Sequence, residues 1–165
     1  MDGGQRGAGR GRVSVAFRRD GDEEHLEPKF EVPIPPGPNW VTPAGLAQIG
    51  AQVEHLGAQI ATLSDEVALN AARRDLRYWQ ARLASAEVQP PAQGDVAGFG
   101  CNVAFKLNGK QRQIAIVGHD EADPAAGRLS FTAPLCRALM GACVGERVDF
   151  NGQDEALEVI AISPI

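Results

Sequence analysis

The residues of this chain that could take part in chemistry are mainly carboxylates, and they occur in two groups. Asp65 and Glu66 are neighbours, and Asp120, Glu121 and Asp123 lie close together further along the chain. Carboxylate oxygens bind cations, but the second group lacks the further oxygen ligands that a calcium site requires. An acidic loop can also meet a basic surface of a partner. We therefore expect no metal site in the chain, and the second group is either a docking surface or a solvated turn.

A basic group lies between the two acidic ones. Arg73, Arg74 and Arg77 fall within two turns of a helix if this stretch is helical. Such a cluster can hold the phosphate backbone of a nucleic acid. The alternative is an ordinary solvated helix face.

No pattern typical of a self-sufficient active site is present. The sequence has no nucleophile elbow, phosphate loop, dinucleotide fingerprint or His-x-x-His pair. Cys101, Cys136 and Cys143 form no C-x-x-C pair, which favours reduced core thiols in a cytosol over a disulfide framework or a zinc site. We therefore expect that the chain is not an enzyme, has no cofactor of its own and presents its groups to a partner.

Composition narrows the kind of partner. The net charge of −5 argues against a protein that coats nucleic acid in general, although local basic contacts remain open. No apolar run approaches the roughly 18 residues of a membrane span, and the N-terminus has no apolar signal region. We expect a cytoplasmic monomer with no membrane contact.

Residues 42–91 predict the two helices that would position the first acidic group and the arginines. Thr42 and Pro43 suit a helix start. Apolar residues then recur at alternating intervals of three and four, which is the a/d seam of a coiled coil. The seam positions are Leu46, Ile49, Val53, Leu56, Ile60 and Leu63 in the first arm and Leu69, Ala72, Leu76, Trp79, Leu83 and Ala86 in the second.

A polar break separates the two seams, which predicts an antiparallel hairpin about 30 Å long. Asp65 and Glu66 would then lie at its tip, and the three arginines would lie off the seam. Gly50 and Gly57 would share one edge of the first arm, where we expect close approach of the other arm.

The flanking regions complete the predicted architecture. Residues 1–41 begin with a Gly/Arg-rich stretch and end in a Pro-rich run, and we expect a disordered extension. Residues 99–165 alternate in hydrophobicity around two Asn-Gly turn signals, which predicts an antiparallel sheet of four to five strands with one short helix. The fold class is therefore α+β, with an antiparallel coiled-coil hairpin before the sheet domain.

Two separated blocks of this sequence resemble the GreA/GreB transcription elongation factors. They are Ile-Val-Gly-His-Asp-Glu-Ala-Asp at 116–123 and Ala-Pro-Leu-Cys-Arg-Ala-Leu-Met-Gly at 133–141. The return strand near 158–160 and the end of the second arm, 83–88, are also similar, so the resemblance covers roughly residues 42–162.

The resemblance implies an FKBP-like C-terminal domain that docks at the rim of the RNA polymerase secondary channel. The hairpin would enter the channel, where two tip acids help to hold a magnesium ion of the polymerase and promote hydrolysis of a backtracked transcript. On this view Asp65 and Glu66 are the tip acids. Asp120, Glu121, Asp123 and Pro134 are the docking residues, and nascent RNA or DNA is met only inside the polymerase complex.

The tip departs from the family pattern of two acids followed by Asn-Ala. Asn70 and Ala71 match, but Leu69 stands where the second acid is expected and Glu66 where the first would fall. Each arm is also shorter by about eleven residues, which would withdraw the tip by about 16 Å. Three functions remain open: a factor that stimulates cleavage, a non-cleaving channel-binding regulator similar to the regulator of nucleoside diphosphate kinase, and an FKBP-like prolyl isomerase. The scarcity of aromatic residues argues against the last.

Overall fold

The computed structural model describes residues 31–165, so the Gly/Arg-rich stretch and most of the predicted N-terminal extension lie outside the described residues. The hairpin region contains strand β1, Trp40–Val41, helix α1, Pro43–Thr62, helix α2, Glu66–Ser85, and strand β2, Glu87–Val88. The sheet domain contains β3, Cys101–Leu107, β4, Lys110–Val117, β5, Arg128–Ser130, helix α3, Pro134–Leu139, β6, Arg147–Phe150, and β7, Gln153–Pro164.

Local capping sets both helix starts of the hairpin. The Thr42 hydroxyl accepts a hydrogen bond from the Gly45 amide at 3.0 Å, and Pro43 occupies the first helical position. At the tip, the Asp65 carboxylate accepts one from the Ala68 amide at 2.8 Å. The two ends of the hairpin meet where β1 pairs in parallel with β2, so the arms run antiparallel as predicted.

The buried stripe between the arms follows the predicted seam except near the C-terminus of α2. Ile49, Leu56 and Ala72 are buried. Leu83, however, is 38% exposed, whereas its neighbour Arg82 is only 2% exposed. The seam prediction is wrong at this point because the end of α2 packs against the sheet domain as well as against α1. The contact with the sheet domain buries Arg82 in place of Leu83.

The expected close approach at Gly50 and Gly57 is also absent. A Cβ atom added at either position would meet nothing within 4 Å. The close approach occurs instead at Gly45, in the first turn of α1, where a Cβ would overlap the side chain of Glu121.

The sheet has the strand order β5-β4-β3-β7-β6. Its neighbouring strands are antiparallel except for β4 and β5, which pair in parallel with Ile116 opposite Leu129. The prediction of a wholly antiparallel sheet is therefore corrected at this edge. Residues 118–127 contain two 3₁₀ turns, and they form the crossover that lets β5 run in the same direction as β4.

The core of the domain lies between one face of the sheet and α3. Alternate residues of β3, Cys101, Val103 and Phe105, are fully buried, as their period of two predicts. They pack with Ile114 and Ile116 of β4, Leu157 and Val159 of β7, and Cys136 and Leu139 of α3.

The N-terminal lead-in, residues 31–41, packs against the body of the protein at its C-terminal end. This corrects the prediction of a disordered segment up to residue 41. Asn39 and Val41 are buried. Trp40 stacks on Phe131 of the sheet domain with ring centroids 4.9 Å apart, and it contacts Phe99 edge to face. This segment is ordered because it supplies an aromatic anchor and a short strand, which composition alone does not reveal.

Candidate functional site: hairpin tip and hairpin root

The hairpin tip, residues 63–67, carries the two acids that the sequence singled out. Asp65 and Glu66 are both exposed, beside Val67, which is 57% exposed. One oxygen of Asp65 is engaged in capping α2, whereas Glu66 is in the first turn of that helix. The tip therefore carries two exposed carboxylates, one of them already held by its own backbone.

The predicted basic group lies along α2, but two of its members have acidic neighbours. Arg74 contacts Asp75 at 3.3 Å. Arg77 donates one bifurcated hydrogen bond from Nε to both oxygens of Glu31 at 3.1 Å and another from Nη2 at 2.6 Å, and these bonds lower the pKa of Glu31. Arg73 is exposed, and no ion pair involves it among residues 31–165. Arg73 is therefore the arginine of this group most available to a phosphate.

The hairpin root is the place where the hairpin meets the sheet domain, and we define it by Asn39, Thr42, Tyr78, Arg82, Asp120 and Glu121. Its first element is an ion pair between Arg82 Nε and Asp120 Oδ2 at 2.6 Å, with side chains only 3% and 4% exposed. Tyr78 donates its hydroxyl to the other oxygen of Asp120 at 2.5 Å.

Asn39 completes the surroundings of Arg82. Its side-chain oxygen accepts from Arg82 Nη2 at 2.5 Å, and its nitrogen donates to the Arg82 carbonyl at 2.8 Å and to Ser85 Oγ at 3.1 Å. The prolines at 35, 36 and 38 line a cavity of about 160 Å³ together with Arg82, so the lead-in passes over this part of the root.

The second element of the root is the carboxylate of Glu121, which is buried against the start of α1. It accepts hydrogen bonds from the Thr42 amide at 3.0 Å, from the Thr42 hydroxyl and from the Gly118 amide at 3.2 Å. Gly45 leaves the space that this side chain occupies. A buried carboxylate without such donors would be costly, so the capping residue of α1 and Glu121 depend on each other.

The electrostatics of the root are those of a satisfied internal network. Among residues 31–165, every buried side-chain nitrogen and oxygen has a hydrogen-bond partner. Burial, and then the hydrogen bond to Asp120, raises the pKa of Tyr78 to about 12. The root therefore holds two parts of the fold together and exposes no reactive group.

These contacts correct the docking prediction for two residues of the acidic loop. Asp120 and Glu121 cannot meet a basic partner surface while they hold Arg82 and Thr42. Asp123 has a side chain that is 46% exposed and contacts Arg128 at 3.6 Å. Pro134 is exposed at the start of α3. For Asp123 and Pro134 the docking role stays a prediction.

Sequence reasoning did not identify Asn39, Tyr78 and Arg82 as root residues. Tyr78 and Arg82 are four residues apart and share a helix face, which was a local signal that they could act together. Nothing local indicated that Asp120, thirty-eight positions further on, faces them.

Two other kinds of site are absent from residues 31–165. No group of three or more His, Cys, Asp or Glu side chains could hold a metal ion. No helix in this part of the chain combines the length and the apolar character needed to cross a membrane.

The comparisons with known proteins agree with this architecture. Residues 91–164 match the family model described as "Transcription elongation factor, GreA/GreB, C-term". Transcription elongation factor GreA of Acidiphilium cryptum is 30% identical over 149 residues, covering 74% of this chain and 95% of the relative. The chain belongs to the GreA/GreB family.

Other relatives match over a smaller part of their length. The GreA of Rhizobium etli is 36% identical over 74 residues, which are 42% of this GreA/GreB chain and 47% of that protein. Among solved structures, this chain is similar to GreA factor homolog 1 of Thermus thermophilus, with 20% identity and a TM-score of 0.36. That match covers 77% of this chain and 99% of the other.

The match to the Acidiphilium protein also spans positions that this chain lacks. It involves 74% of 165 residues, about 122, against 149 aligned positions, so about 27 positions have no residue in this GreA/GreB member.

Proposed function

We propose that this GreA/GreB member is a transcription regulator that binds RNA polymerase at the secondary channel. Its sheet domain would dock at the channel rim, and its hairpin would occupy the entrance. The observation that carries the proposal is a hairpin of two 20-residue helices that is fixed to the family-matching domain and ends in two exposed acids. It would act as a monomer in the cytoplasm without a catalytic group or a cofactor of its own.

The geometry of the tip favours occupation of the channel over service to the polymerase magnesium ion. Arms of 20 residues give a hairpin about 30 Å long, about 16 Å less than arms longer by eleven residues would give. Metal ligands must lie close to 2 Å from their ion. A tip carboxylate that ends about 16 Å short of the ion therefore cannot act as its ligand. Asp65 is in addition held by the Ala68 amide.

Stimulation of transcript cleavage is the second candidate function, and Glu66 is the observation in its favour. This carboxylate is exposed at the tip, and a second cation held there would activate a water molecule. Arg73 would be the residue that meets nucleic acid inside the complex, because it is exposed on the same helix.

The deciding experiment uses a backtracked elongation complex of the cognate polymerase with a labelled transcript 3′ end and magnesium. We expect no release of a short 3′ fragment, but competition with a longer-armed GreA for the channel. Fragment release that is lost in Glu66→Gln would replace this proposal by the cleavage function. Glu54→Gln, an exposed acid of α1 away from the tip, is the matched control. If the protein causes no cleavage and does not compete for the channel, the proposal that it binds polymerase is itself overturned.

Docking is tested separately from the tip. Substitution of exposed Pro134 by Ala and of Asp123 by Asn should weaken polymerase binding if the acidic loop and the start of α3 face the channel rim. Gln111→Ala, at an exposed position of β4, serves as the control. Unchanged affinity in the first two variants would remove these residues from the docking surface.

A further inference from the structure

We propose that the neighbouring acids Asp120 and Glu121 form a two-point clamp that sets the direction of the hairpin relative to the sheet domain. Each acid holds a different arm: Glu121 holds the start of α1 through Thr42, and Asp120 holds the end of α2 through Arg82 and Tyr78. This positioning role rests on the proposed function only in its consequence for the polymerase, since the clamp itself is a property of the free protein.

The argument begins with the number of attachment points. A single contact between two bodies leaves rotation about that contact free. Here two consecutive residues of one 3₁₀ turn hold the two arms at two points, so both sets of bonds survive only a rotation about the line that joins these points. The pairing of β1 with β2 joins the bases of the same two arms and makes them move together.

The second step concerns the cost of breaking the clamp. Arg82 and Asp120 are almost wholly removed from solvent, and Asn39 and Tyr78 take up their remaining hydrogen-bonding groups. Separation of such a pair leaves an uncompensated buried charge, which is strongly unfavourable. Glu121 would likewise lose donors in a buried setting. The closed clamp therefore has one strongly preferred geometry.

The third step is the lever arm. The hairpin extends about 30 Å from the root, so a rotation of about 10° at the root would displace the tip by about 5 Å. Docking of the sheet domain alone therefore cannot place Asp65 and Glu66. The clamp converts the position of the docked domain into a defined position of the tip.

The experiment measures the tip position in the free protein. Spin labels are placed at Ser64, in the tip, and at Gln111, an exposed residue of β4, in a Cys143→Ser background that leaves the two buried cysteines in place. Pulsed electron resonance then gives the distribution of distances between the labels. We expect one narrow distribution for the unsubstituted clamp and a broadening of about 5 Å or more in Asp120→Asn combined with Glu121→Gln. Arg147→Gln, which removes two surface ion pairs of the sheet domain, should leave the distribution narrow.

A milder variant keeps the test decisive where the double substitution disturbs folding. Asp120→Asn alone removes the charge that holds Arg82 and leaves the bonds between Glu121 and Thr42 in place, so one of the two points is lost and we expect a broader distribution. Circular dichroism and protection of Cys101 and Cys136 from thiol reagents establish that the variant is folded. A narrow, unshifted distribution in folded Asp120→Asn, or in the folded double variant, would overturn the proposal.

A polymerase measurement distinguishes positioning from docking. We expect the double variant to bind polymerase with nearly unchanged affinity and to lose most of its effect on transcription. If the unsubstituted protein does not bind polymerase, the proposed function fails, whereas the distance measurement still decides the clamp. Equal losses of affinity and effect together with a narrow distance distribution would assign these acids to docking.

Discussion

The side chain of Glu121 occupies the space in which any residue larger than glycine at position 45 would place its Cβ. An added Cβ would lie 2.1 Å from Glu121 Cδ. The first turn of α1 and the acidic loop therefore pack so closely that there is no room for one added carbon atom, although Gly45 and Glu121 are 76 positions apart in the sequence.

This contact predicts opposite effects for the same substitution along one helix. Gly45→Ala should destabilise the protein by about 1–3 kcal/mol, because Glu121 must move and give up its bonds to Thr42. Gly50→Ala and Gly57→Ala should each stabilise it by up to about 1 kcal/mol, since nothing lies within 4 Å of the added atom and alanine is the better helix former. Urea unfolding of the three variants measures the free energies, and a Gly45→Ala variant as stable as Gly50→Ala would contradict the fitted contact.

The hydroxyl of Thr42 provides a second test of the root. It accepts from the Gly45 amide and donates to Glu121, so Thr42→Val should lose about 1–3 kcal/mol in the free energy of unfolding. Thr42→Ser keeps both bonds and should lose much less. Thr62→Val, at the exposed end of the same helix, should change stability by less than about 0.5 kcal/mol. Equal losses in the Val and Ser variants would show that the hydroxyl is not what matters.

Much of this architecture was predictable because its causes are local. The heptad spacing and Thr42 predicted the two helices, and Asn108-Gly109 predicted the turn between β3 and β4, where both residues have positive φ. The alternation of Val103 and Phe105 predicted the buried face of the sheet.

The root could not be predicted because its causes are not local. Arg82 is buried only because Asp120 and Asn39 arrive from distant parts of the chain to satisfy it. The same partners turn two acids that resemble a solvated docking loop into internal contacts. The parallel pairing of β5 is of the same kind, since the path of residues 118–127 is set by Glu121 binding to Thr42 as well as by the turn residues.

The three cysteines should differ sharply in reactivity. Cys101 and Cys136 are buried in the core, and burial raises the pKa of Cys136 to about 11, whereas Cys143 is exposed. A thiol reagent at neutral pH should therefore modify one thiol per folded chain and all three in denaturant. Cys143→Ser should abolish the reaction of the folded protein. Rapid modification of a second thiol in that variant would show that the core opens more readily than its packing implies.

The single tyrosine of the chain allows the root to be followed by titration. Tyr78 has a pKa of about 12, raised first by burial and then by its hydrogen bond to Asp120, against 10.0 for an ordinary tyrosine. Because the folded pKa lies above the unfolded one, this group's contribution to stability is complete below about pH 10 and is lost as the pH rises towards 12. The absorbance of tyrosinate should therefore appear about two pH units higher in the folded protein than in denaturant.

Asp120→Asn should lower the pKa of Tyr78 but leave it above the denatured value, because burial remains. Tyr78→Phe should remove the corresponding part of the alkaline loss of stability, and a folded protein in which Tyr78 titrates near pH 10 would contradict its place in the root.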